Sequence, residues 1–395
     1  MSIDNAEGFP RELLKKPTSE RRKYFREYTV GHPVLTEAYE KAMRILRQPG
    51  GKQIVLVVGP GRSGKTFLTE WLAEEVKSDW APQQVSDPGR IPVVSIEMPA
   101  RDTNNPTWAL IYELILRAIE EPLIDKKIVY DGVTLYPTSD GSIKIENRTA
   151  GGKLGIVAKS AINKRRTTVF FDEFHHLLNW PGFSFQDHMN CVKALANRGQ
   201  NKLGLFATYE VLDALDLSDQ TTCRTKIIHL HRYGDSVEDQ ANFEGVIYSF
   251  QINMPFRAEP DLLEHFDYIY ERTNGRVGLL AIWLQEAYDM AIEDGAATIK
   301  LKHLKATEPL TGKQARNMYY KLVENETRYN QLVGEDSEID DEEEDGIRDD
   351  AISRVSHDES AGDANANKKP GGRRQKRVGE RNPVRDSTGR EEVAA

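Results

Sequence analysis

Cysteine is scarce: Cys191 and Cys223 are the only two in 395 residues, and they form no C-x-x-C pair. That excludes a disulfide framework and a zinc ribbon, and it predicts reduced thiols in a cytosol. No apolar run approaches the ~18 residues that would span a bilayer. The opening Met1-Ser2-Ile3-Asp4-Asn5 has neither the basic nor the apolar region of a signal peptide. A soluble, cytoplasmic protein without membrane contact is expected. The N-K-x-D pattern of guanine recognition is also missing. Its nearest match, Asn201-Lys202-Leu203-Gly204, lacks the final carboxylate and runs into an apolar stretch, which disfavours GTP. Nor is there a basic excess. The formal charge is −9, but residues 335–350 alone hold eleven acids against Arg348, and the remainder is close to neutral. Net charge therefore neither supports nor excludes nucleic-acid binding, and local placement must decide.

What is present is chemically specific. Ile54 to Val58 is an apolar strand running into Gly59-Pro60-Gly61-Arg62-Ser63-Gly64-Lys65-Thr66, a complete G-x-x-x-x-G-K-T phosphate loop, with helical periodicity from Phe67 to Val76. In such a loop Gly59, Gly61, Arg62, Ser63 and Gly64 turn backbone N–H groups onto phosphates. Lys65 reaches the β and γ oxygens, and Thr66 places its hydroxyl on Mg²⁺ at the positive end of the following helix. Nucleoside triphosphate binding is implied. A second strand, Thr167 to Phe171, ends in Asp172-Glu173. Beside the phosphate-loop strand, Asp172 would hold the metal and Glu173 would polarise an attacking water.

The rest of the chain organises around these two strands. Residues 1–49 read as a basic, mostly helical extension docked on the core, stopped by Pro49-Gly50-Gly51. Residues 50–255 alternate strand and helix, which implies a parallel α/β sheet covered by helices, with a Pro-punctuated loop from Ala81 to Arg90. Residues 122–152 interrupt the alternation with a hairpin around Asp140-Gly141. The strand Leu203 to Ala207 ends at Thr208, a candidate γ-phosphate sensor. Residues 256–310 turn helical (Glu259 to Thr273, Gly278 to Glu293, Ile299 to Leu304), with Arg276 at a helix start as a small lid. Residues 311–332 suggest a further helix. Residues 333–395 are acidic, then basic from Lys368 to Arg390, and read as a disordered tail. His175-His176 invites a metal reading. Adjacent histidines point apart and no third ligand has suitable spacing, so packing or hydrogen bonding beside Glu173 is the better expectation.

The order of α/β core and helical lid is that of AAA+ ATPases. Thr18 to Tyr28 with His32-Pro33, the phosphate loop, Asp172-Glu173-Phe174-His175, Ala207-Thr208, Arg224 and Thr273-Asn274-Gly275-Arg276-Val277-Gly278 together resemble the TnsC/TniB family of AAA+ transposition regulators over residues 18–305. The resemblance implies ATP and Mg²⁺ as ligands, Thr208 as first sensor, Arg276 as second, and Arg224 as an arginine finger for a neighbouring subunit, with Arg232 competing for that role. It implies ring or filament homo-oligomers on double-stranded DNA, linking a TniQ/TnsD-like target selector to a TnsB-like transposase. DNA-facing candidates are Lys126, Lys127, Lys159, Lys164, Arg165 and Arg166. Two rivals remain. One is an origin-recognition-type AAA+ loader, for which only about 20 residues expected to be ordered follow the lid, too few for a winged helix on typical domain sizes. The other is a small-molecule P-loop kinase.

Overall fold

A computed structural model describes residues 8–101, 106–124, 133–137, 143–147, 150–196, 201–214 and 223–334. The expected tail, from 335 onward, and Lys126 and Lys127 lie outside the described residues.

The five-residue runs β1 (Ile54–Val58), β2 (Val93–Glu97), β5 (Thr168–Asp172), β6 (Leu203–Ala207) and β7 (Thr225–His229) pair in the order β2-β5-β6-β1-β7, every pair parallel. β1 and β6 are fully buried. Strands buried on both faces read as continuous apolar runs, as these do. Alternation along β1 splits the core. Val55 and Val57 face one cluster with Phe170, Phe206 and Ile228, while Ile54, Leu56 and Val58 face the other with Val169, Phe171, Leu203 and Leu205. Helices α1 (Thr18–Glu27), α2 (Pro33–Arg47) and α3 (Lys65–Gln84) contribute to the first cluster. Helices α4 (Trp108–Ala118), α5 (Ala150–Arg165) and α6 (Phe185–Ala196) cover the second. The two-stranded sheet of β3 (Val133–Pro137) and β4 (Ile143–Asn147) is antiparallel and separate, with Val133 opposite Asn147.

Several elements depart from the sequence reading. Helix α3 continues through Pro82 to Gln84, eight residues past Val76, so the expected loop begins later. Trp80 lies beneath the Arg90 guanidinium, 3.5 Å from its ring centre, and this contact ties the last turn down. Strand β7 and helix α7 (Val237–Ile252) were not read from the sequence at all. The stretch 257–262 is not helical: Gln251 Oε1 accepts the Leu262 N–H at 2.8 Å, and the lid opens only with a short 3-10 turn before α8 (Phe266–Thr273).

The lid comprises α8, α9 (Val277–Glu293) and α10 (Leu301–Ala306), around buried Leu280, Trp283 and Leu284. The N-terminal extension docks on the lid as well as on the core. Phe25 of α1 packs on Tyr288 of α9 with ring centres 5.0 Å apart, and Arg22 and Arg26 pair with Asp289. The last described helix, α11 (Gly312–Val333), starts at a capping box between Thr311 and Gln314. It straps lid to core, because Asn274 donates to the Ala315 carbonyl at 3.1 Å while Tyr329 stacks on His229 with centres 4.0 Å apart.

Candidate nucleotide site

In a parallel sheet the C-terminal ends of all strands share one edge. Here β1, β5 and β6 deliver Gly59, Glu173 and Thr208 to it. The phosphate loop closes into α3 through Gly64, whose φ of 101° caps the helix in a region most side chains avoid. The helix then presents its free N–H groups and positive dipole end to the loop.

Lys65 is buried, and its Nζ donates to the loop carbonyls of Pro60 (2.7 Å) and Gly59 (3.1 Å). Burial pushes its ammonium down to about 8, against the pull of Glu173 and Asp172. Thr66 Oγ1 donates to Asp172 Oδ2 at 2.8 Å. Those two oxygens are the hard donors that Mg²⁺ takes, and their adjacency fits the expected metal position. Asp172 Oδ1 accepts the Glu173 N–H at 2.9 Å, and Glu173 sits at φ 51°, ψ 37°. A left-handed glutamate costs roughly 1–3 kcal/mol and such strain clusters at functional sites. The hydroxyls of Thr208 and Ser63 are buried at this edge without a hydrogen-bond partner among the described residues. An orphaned buried hydroxyl is costly unless a ligand completes it.

The lid closes on the loop directly. A Cβ at Gly278 would stand 2.6 Å from the Arg62 carbonyl oxygen, so only glycine permits this approach. Arg276, just ahead of α9, is buried, donates from Nε to the Thr273 carbonyl at 3.0 Å and reaches the Gly61 carbonyl with Nη1 at 3.4 Å. Burial, then the neighbouring Arg232, push its guanidinium down to about 10. Arg232 is spent within the chain: its Nε and Nη2 pair with Glu326 of α11 at 2.9 and 3.1 Å.

Arg224 occupies the opposite edge. Its carbonyl accepts the N–H groups of Gln53 and Ile54, and β7 then runs in register beside β1 for the full strand. The phosphate loop of the same chain is thus about 20 Å away at ~3.3 Å per residue. Lys164, Arg165 and Arg166, ahead of β5, share that far edge. Lys164 and Arg166 are exposed, but Arg165 is engaged by Glu121 (3.1 Å) and the Gly89 carbonyl (3.0 Å). Lys159 is half-buried on α5.

The histidine pair corrects the sequence reading. Residues 174–179 form a 3-10 turn that brings the His175 and His176 rings to 4.7 Å between centres. His175 Nε2 lies 3.3 Å from Glu173 Oε2, and His176 Nδ1 bonds the Met98 carbonyl at 2.9 Å. Hydrogen bonding beside Glu173 was expected; convergence of the two rings was not.

Residues 47–215 match the family model described as an AAA domain. No curated protein matches the sequence. Among solved structures, the ORC1 protein of Aeropyrum pernix in complex with DNA is 14% identical, with 77% of this chain and 70% of that chain covered and a TM-score of 0.48. The ADP form of the A. pernix ORC2 protein is 14% identical over 72% of this chain and 71% of that one, at 0.46. The CDC6 protein of Pyrobaculum aerophilum is 13% identical over 75% and 70%, at 0.40. The fold is an AAA+ fold: a five-stranded parallel sheet between helices, followed by a helical lid.

Proposed function

We propose that the protein is an ATP-hydrolysing, DNA-associated AAA+ regulator of transposition that assembles on duplex DNA. The observation that carries the reading is the division of the site between the two edges of one sheet. Lys65, Thr66, Asp172, Glu173, Thr208 and Arg276 gather at one edge, whereas Arg224 stands at the other. In this reading Lys65 and Thr66 hold the triphosphate and Mg²⁺, which supplies charge neutralisation when bound. Asp172 steadies the metal, Glu173 draws the proton from the attacking water, and Thr208 and Arg276 register the γ-phosphate. Arg224 reaches the nucleotide of a second copy, so hydrolysis requires assembly.

A head-to-tail contact of this kind generates rings or open filaments. Lys164 and Arg166 supply exposed charge for sequence-independent phosphate contacts. The transposition role, with a TnsB-like transposase and a TniQ/TnsD-like selector as partners, rests on the resemblance of the motifs between residues 18 and 305. Measuring ATP turnover with and without duplex DNA tests the reading. Stimulation by duplex that collapses with added salt supports it, with an affinity slope of about −0.9 per phosphate contact. Turnover that ignores DNA and requires a small acceptor refutes it.

A further inference from the structure

We infer that Glu173, His175 and His176 form a site for a borderline-soft divalent ion such as Zn²⁺, distinct from the Mg²⁺ position at Thr66 and Asp172. One ligand atom from each of the three residues lies within 4.8 Å of the others. Two imidazoles and a carboxylate make an N₂O donor set that zinc and its neighbours accept, whereas Mg²⁺ prefers oxygen.

Two further observations set this trio apart from a chance cluster. His176 Nδ1 donates to the Met98 carbonyl at 2.9 Å, which fixes the tautomer and leaves the Nε2 lone pair open, the usual outer-sphere arrangement of a metal-binding histidine. His175 is 8% exposed, and its Nε2 already faces Glu173 Oε2 at 3.3 Å. That separation is close to the edge of a zinc tetrahedron with ligands at about 2.0–2.1 Å. Glu173 is the left-handed residue that opens the turn carrying both histidines, and its carboxylate lies on the His175 side. Three protein ligands leave a fourth position for water.

An ion there would hold the Glu173 carboxylate away from the attacking water. Lys65, Thr66 and Asp172 would remain available to ATP and Mg²⁺, so the occupied site would arrest hydrolysis with nucleotide still bound. This consequence rests on the proposed role of Glu173, but the binding itself does not.

The test is uptake of Zn²⁺ by the full-length, chelator-treated protein in competition with a chromophoric indicator, repeated with Co²⁺ read by its visible ligand-field bands. Wild type should take one equivalent with tetrahedral-type Co²⁺ bands. His176→Gln removes a direct ligand and should weaken uptake by more than the roughly 10–100-fold cost of losing an outer-sphere partner, and His175→Gln/His176→Gln should abolish it, with circular dichroism checking that each variant folds. His176 is only half-buried, so the single variant keeps the test open should the double variant misfold. Wild-type uptake in the His176→Gln protein, or no equivalent taken up by wild type at tens of micromolar ion, overturns the inference. Zinc uptake without any ATPase activity would instead count against the proposed function alone.

Discussion

Mutating Arg224 probes the geometry most sharply, because the sheet itself forbids the side chain from serving its own nucleotide. Arg224 precedes β7, which pairs in register with β1 from Ile54 to Val58, and Gly59 opens the phosphate loop beyond that. Six residue steps at ~3.3 Å place the two about 20 Å apart, well past any side chain's reach. Arg224→Ala should therefore leave ATP binding by each subunit intact and lower turnover by about 10³ to 10⁵, the usual worth of an arginine finger. At 1.36 kcal/mol per decade that is roughly 4–7 kcal/mol of transition-state stabilisation. Lys65→Ala should be inactive for the complementary reason, since it keeps the arginine and loses the phosphate contact. In a random equal mixture, about one interface in four joins an intact loop to an intact arginine, so turnover should recover to roughly a quarter of wild type. The assay is phosphate release across mixing ratios, with nucleotide binding measured in parallel. No recovery at any ratio would refute action in trans.

Other consequences are equally direct. Glu173→Gln should reduce turnover about 10² to 10⁴-fold while retaining ATP, giving DNA-bound assemblies that outlast those of wild type; normal turnover would remove Glu173 from the role of base. For Lys65, with its ammonium at about 8 in the free protein, bound phosphates raise the value, so ATP favours the protonated form. Affinity should be full below pH 8 and fall as pH rises above it, with proton uptake visible as a buffer-dependent binding enthalpy near pH 8.5; a flat profile from pH 7 to 9.5 contradicts this. Gly278→Val places a Cβ 2.6 Å from the Arg62 oxygen. It should cost about 1–3 kcal/mol, read as a lower Tm and weaker ATP binding, and an unchanged melt would show that the lid does not rest on the loop.

The parts of the site that were legible in the sequence are those encoded by contiguous residues. The apolar run into Gly59–Thr66 and the strand ending at Asp172-Glu173 each carry their own context, and the structure joins them through the Thr66–Asp172 hydrogen bond. What depends on tertiary approach was not legible. Strand β7 is a five-residue edge strand with only partial burial, too weak a pattern to stand out beside the central strands. The convergence of His175 and His176 arises from a 3-10 turn that no periodicity announces. Arg165 looked like its exposed neighbours, yet Glu121 comes from 44 residues away to hold it. Arg232, the alternative to Arg224 as a finger, is held by Glu326 from the last described helix, a contact 94 residues away that no local pattern announces. Helix α3 outran its expected end because Trp80 and Arg90 stack across the turn.

In the proposed mechanism, nucleotide clasped between Lys65 of one copy and Arg224 of the next governs self-association along DNA. Its most direct test is the mass distribution of the purified full-length chain at micromolar concentration with Mg²⁺, a non-hydrolysable ATP analogue and duplex DNA, measured by sedimentation and imaged by electron microscopy. Rings or filaments that form with the analogue and disappear with Arg224→Ala are predicted. A monomer under all these conditions would rule out nucleotide-driven assembly.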